Sequence, residues 1–65
     1  MDSTEYEKQG FFIGAGATIK TSGLRVVLVS NPKTDEVDGQ TRAWVAMEFD
    51  THVRYLAILD DLKLN

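Results

Sequence analysis

The side chains able to do acid–base or metal chemistry gather at two breaks in the chain. His52, the only histidine, sits two residues after Asp50, and Asp60-Asp61 mark the next break. A general acid or base must reach a bound substrate within hydrogen-bond distance, in a pocket and beside a group that orients it. Turn tips seldom give that enclosure, and polar residues are their ordinary occupants. No catalytic residue is therefore assigned, and the chain reads as a non-enzyme. Ser3, Ser22 and Ser30 lack any local signature that would set one of them against His52, as a serine–histidine–aspartate arrangement demands. Gly14-Ala15-Gly16 lacks both the third glycine of a dinucleotide fingerprint and the Gly-Lys-Ser/Thr ending of a phosphate loop. It reads as a turn or bulge. Asp35-Glu36-Val37-Asp38-Gly39 lacks the alternating oxygen ligands and closing glutamate of a calcium loop. With no cysteine and one histidine, neither a disulfide nor a structural zinc site is available, and no cofactor or metal is expected.

A second set pairs cations with aromatics: Lys20, Arg25, Arg42 and Arg54 with Trp44 and Tyr55. Small barrels hold single-stranded nucleic acid by stacking bases on aromatics within a basic groove, and Arg25, Arg42 and Arg54 would then meet the phosphates. The overall balance opposes this, with seven Lys+Arg against ten Asp+Glu and a net charge of −3. A clustered basic patch is the expected footprint of nucleic-acid binding. A small nucleic-acid-binding regulator is accordingly the alternative rather than the first reading.

The element that must position these residues is the stretch 41–59, TRAWVAMEFDTHVRYLAIL, two apolar runs around Asp50-Thr51-His52. It predicts a β-hairpin. With Asp50 opposite Val53, the register pairs Phe49 with Arg54, Met47 with Leu56 and Val45 with Ile58. Strand side chains alternate between faces. One face then holds Val45, Met47, Phe49, Leu56 and Ile58; the other holds Trp44, Ala46, Tyr55, Ala57 and Leu59, with Glu48 its only charge. A hairpin with one wet face would alternate polar residues, and this one does not. Both faces want cover.

Sixty-five residues make one domain with one small core, and such a core rarely leaves more than about 3–5 kcal/mol of net stability without a staple. Oligomerisation is the staple still open. No apolar stretch approaches the length of a membrane span, and the acidic opening MDSTEYEKQG lacks the basic start and apolar run of a signal peptide, so a cytoplasmic location is expected.

Along the rest of the chain, residues 1–10 read as a polar tail, in which Thr4 and Glu7 fit a capping box and allow one helical turn. Residues 11–65 form the domain. A short strand is expected at 17–20, a turn at Thr21-Ser22-Gly23, and a clear strand at 24–30, LRVVLVS. The loop NPKTDEVDGQ at 31–40 is acidic and expected to be exposed and mobile. Leu62 and Leu64, alternating around Lys63, close the chain as a last strand. About five short antiparallel strands with glycine turns give an all-β fold, a small barrel or curled sheet.

The segment F-x-I-G-x-x-A-T-I-K-T-S-G-L-R-V-V-L-V, residues 11–29, resembles the opening of small bacterial SH3-like barrels, in particular a YodC-like family of short proteins. The later W-V-A-M-E-F-D run and the closing D-D-L-K-L are similar to the last strands of such barrels. Two features depart from that pattern: Ala17 stands where a larger β-branched residue is usual, and the loop 33–40 is long. The resemblance implies an SH3-like barrel of about five strands but brings no catalytic or ligand residue with it, since fold alone does not imply function.

The expectation is then a non-catalytic protein-interaction module that self-associates, as a dimer or larger ring, through Trp44, Ala46, Tyr55, Ala57 and Leu59. Aromatic and aliphatic patches of that kind mark association sites. The inner core would hold Ile19, Val26, Leu28, Val45, Met47, Phe49, Leu56 and Ile58. The loop 33–40 would be open to another protein. If instead Tyr6, Phe11 or Phe12 folded back over Trp44, the chain would be a self-sufficient monomer.

Overall fold

A computed structural model describes residues 3–65, with side chains from residue 5 onward. Six strands form one curled antiparallel sheet: β1 (Gly16–Ile19), β2 (Arg25–Leu28), β3 (Lys33–Thr34), β4 (Thr41–Met47), β5 (Arg54–Ile58) and β6 (Leu62–Leu64). A short helix, α1 (Ser3–Lys8), precedes them, and a 3-10 turn (Leu59–Asp61) joins β5 to β6. This is a small all-β, barrel-like fold.

β4 is the spine of the sheet. It is the longest strand and five of its seven residues are buried. Residues 42–46 pair with β5, while 45–47 pair with β2 and 41–42 with β3. β4 is thus hydrogen-bonded along both edges. β1 lies between β2 and β6, so β3, β5 and β6 each pair with a single strand, and the 3-10 turn links β5 to β6. Asp61 secures that link: its carbonyl accepts from the Lys20 N–H at 2.7 Å, and its carboxylate from the Thr21 N–H (3.3 Å) and hydroxyl (2.9 Å). The β1–β2 turn closes at Gly23, whose φ of +74° suits glycine.

The core consists of Ala15, Ala17, Val26, Leu28, Ala43, Val45, Met47, Leu59 and Leu62, with Tyr6, Phe11, Ile19, Ala57 and Leu64 packed against it. The N-terminal segment therefore contributes more than a polar tail. Tyr6 and Phe11 meet edge to face at 6.2 Å, and the chain reverses after α1 at Gly10. A Cβ there would lie 2.8 Å from Leu64 Cδ1, and its φ is +106°, so only glycine fits. Met1 and Asp2, and the side chains of Ser3 and Thr4, lie outside the described residues, the expected capping box and Ser3 hydroxyl among them.

Two expectations need correction. The hairpin forms, but its register pairs Trp44 with Leu56 and Val45 with Tyr55, an odd shift from the expected alignment that exchanges the faces of β5. Phe49 falls in the connecting loop, 79% exposed, and Leu56 and Ile58 point outward, away from the core expected for them. The loop 31–40 is also more ordered than its composition implies. β3 pairs with the start of β4, the Thr34 and Thr41 hydroxyls meet at 2.8 Å, and Asp35 N–H donates to Gln40 O at 2.8 Å. It is a second hairpin with an exposed tip at Val37.

Leu28 is among the largest fully buried side chains. Truncating a buried leucine costs about 2–5 kcal/mol, comparable to the whole stability of a domain this size. Leu28→Ala is expected to leave the chain largely unfolded at room temperature, as read by circular dichroism and urea titration beside the parent.

Candidate functional site

Residues opposite each other in an antiparallel pair share a face. The outer face of β4–β5 therefore carries three rows, Arg42 with Ile58, Trp44 with Leu56 and Ala46 with Arg54. Trp44, Leu56 and Ile58 are 48%, 53% and 37% exposed and form a contiguous apolar patch. Tyr55 and Ala57 lie on the opposite face with Val45 and Ala43.

The five residues expected to form an interface are thus distributed differently. Trp44 and Tyr55 are both exposed but on opposite faces of the hairpin. Ala46 is buried beside Trp44, Ala57 packs against the core, and Leu59, 3% exposed, belongs to the core at the start of the 3-10 turn. Leu56 and Ile58 complete the outer patch in their place. Only the register could have revealed them, because their residue types suit the core equally well.

The backbone of Trp44 is held along one edge. Its N–H donates to Ser30 Oγ at 2.8 Å, just beyond β2, and its carbonyl accepts from the Val29 N–H at 2.9 Å. Ser30, one of the candidate nucleophiles, thus caps a strand; Ser22 Oγ likewise accepts a backbone bond, from Leu24 N–H at 3.4 Å. An open groove separates Trp44 and Leu56 from the β3–β4 hairpin. That hairpin is tied down by Arg42, whose guanidinium meets the Asp38 carboxylate at 2.6 Å and Asp35 at 3.6 Å. The hydrogen bonds from Arg42 and from the Gln40 N–H hold the Asp38 carboxyl below its usual range, and Asp38 in turn raises Arg42.

Arg25, Arg42 and Arg54 all lie on the outer face, but not as one patch. Trp44 and Leu56 separate Arg42 from Arg54, Arg42 is engaged by two carboxylates, and Glu48 lies beside Arg25, whose carbonyl accepts the Glu48 N–H at 3.1 Å. His52 is exposed in the β4–β5 loop, with its N–H on Asp50 Oδ1 at 3.2 Å. Asp61 is committed to Thr21. Among the described residues no group of three or more His, Cys, Asp or Glu side chains is placed to hold a metal ion, and no helix is long and apolar enough to cross a membrane. No family model matches the chain, and neither a curated protein nor a solved structure matches it.

The Asp38–Arg42 pair gives a pH dependence of definite sign. A carboxylate whose folded pKa is lowered adds stability that is complete above the unfolded value, about 3.9, and lost as pH falls through the folded one. In an exposed pair the contribution is small. Carboxyl-detected NMR should show Asp38 titrating below the ordinary aspartate range and returning toward it in Arg42→Gln. An Asp38 curve unchanged by that substitution would show that Arg42 does not hold the hairpin.

Proposed function

We propose that this chain is a non-catalytic interaction module that self-associates through the outer face of β4–β5. The observation that carries this reading is the contiguous exposure of Trp44, Leu56 and Ile58 on a domain whose core has three alanines among its nine buried members. Large apolar side chains left together on a surface mark association sites, and a domain with so few large core residues gains most from burying them. The N-terminal segment packs against the core beside Leu64 and leaves Trp44 half exposed, which favours association over a self-covered monomer. The proposed SH3-like character draws support from the strand order and from the 3-10 turn ahead of the last strand. A cytoplasmic location is proposed on the acidic, cysteine-free composition. The exposed β3–β4 hairpin is proposed as a surface for a different protein.

The nucleic-acid reading retains one supporting observation, that Arg25, Arg42 and Arg54 share the face of Trp44. Binding through them would weaken steeply as salt rises; the two carboxylates that engage Arg42 count against it.

Light scattering coupled to size exclusion tests the association. The parent should run at a multiple of its 7.3 kDa protomer, and Trp44→Asp and Leu56→Asp should run as folded single protomers, since both side chains are exposed in the protomer. A parent that stays a folded monomer at millimolar concentration would overturn the reading.

A further inference from the structure

β5 is exposed to an unusual degree for a strand of the sheet: Arg54, Tyr55, Leu56 and Ile58 are all exposed and only Ala57 is partly covered. No other described strand pairs with it besides β4. The Met47 N–H donates to Val53 O at 2.9 Å, which fixes the phase of the β4–β5 ladder. Hydrogen-bonded pairs alternate along an antiparallel ladder, so Tyr55 and Ala57 turn their backbone groups to β4. Arg54, Leu56 and Ile58 turn theirs outward. Such an edge is a template for another strand unless charge, proline or a bulge blunts it, and β5 carries neither proline nor any charge but Arg54.

We infer that the occupant of this edge is β5 of a second copy, paired antiparallel about Leu56, with Tyr55 of each copy filling a cleft beside Ala57 of the other. The inference rests on the self-association proposed above and adds an edge contact to it, since strand pairing extends the sheet in its own plane and leaves the outer face, Trp44 included, uncovered. In this register Leu56 meets Leu56 across a two-fold axis and Arg54 meets Ile58, so every outward-turned backbone group finds a partner. On the other face Tyr55 lies over Ala57, a large side chain against a small one. The protomer has room for the ring at this edge: an open cleft of about 510 Å³ is lined by β5 from Tyr55 through Leu56 and Ala57 to Ile58, with Ile19, Asp60 and Asp61. Its rim carries the Asp60 carboxylate, an acceptor for a phenol O–H.

Charge also selects this arrangement. β5 begins at Arg54 and is followed by Asp60 and Asp61. Antiparallel pairing sets the basic start of one strand against the acidic end of the other, whereas parallel pairing would align like with like. An isologous contact of this kind closes on itself at two copies, so the edge contact by itself makes a dimer rather than a ring.

Sedimentation equilibrium with residue-resolved amide exchange, at dilute and concentrated protein, tests the inference. The expected result is a dimer in which the Arg54, Leu56 and Ile58 amides gain protection as concentration rises. A dimer without that gain would overturn the edge pairing while leaving self-association standing; a monomer at every concentration would overturn both. Tyr55→Ala is the second arm, because Tyr55 faces away from the Trp44 patch. Loss of a buried interface tyrosine should weaken the dimer about tenfold or more, and an unaltered dimer would exclude the cleft. Should Tyr55→Ala fail to fold, amide exchange in the parent still decides.

Discussion

The β4–β5 register is the constraint on which the surface of this protein depends. Both strands carry apolar residues at consecutive positions, so burial alone is nearly indifferent between alignments that differ by an odd number of residues, although these exchange the faces completely. The loop between the strands breaks the tie. Asp50 N–H donates to Met47 O, Val53 N–H donates to Asp50 O, and Met47 N–H closes the loop on Val53 O. Asp50 also holds the His52 N–H with its side chain, a local bond that aspartate readily makes in turns. Five residues are thereby committed to the reversal, Phe49 among them. Val45 and Met47 enter the core, and Trp44 and Leu56 are turned out.

What could be read from the sequence follows the same division. Signals written in adjacent residues were legible: the β-branched run of β2, the glycine turn at Gly23, the two alternating leucines of β6, and the hairpin that contains β4 and β5. The Trp44 face was legible as apolar. Its membership was not, because a loop of five residues without glycine carries no mark of its length, and the length sets the register. The ordering of 31–40 was hidden for a related reason. Its acidic composition describes a solvated loop, while the Arg42 contacts that fasten Asp38 and Asp35 come from the following strand.

α1 shows the reverse case. Its six residues are too few to be stable as an isolated helix, and the polar sequence favours a tail. Tertiary contact supplies the difference. Tyr6 leans on Phe11, and the Phe11 N–H returns to Tyr6 O at 2.9 Å, so the helix is fastened to the core by the residues that follow it. Tyr6 and Phe11 are thereby committed to the core, while Trp44 remains half exposed.

Edge and patch then coincide in one strand. β3 is two residues long and presents Lys33, so it offers little template for another chain, as is usual where edges are protected. β6 is three residues long and carries Lys63 between its leucines. β5 has neither kind of protection, and its outward backbone groups lie in the same strand as Leu56 and Ile58. A solvated edge strand of this composition would be an aggregation hazard in a protein selected to remain single. Its backbone edge and its apolar face are separate surfaces, since another strand added along the edge would pair the outward N–H and C=O groups and leave Trp44 as exposed as before.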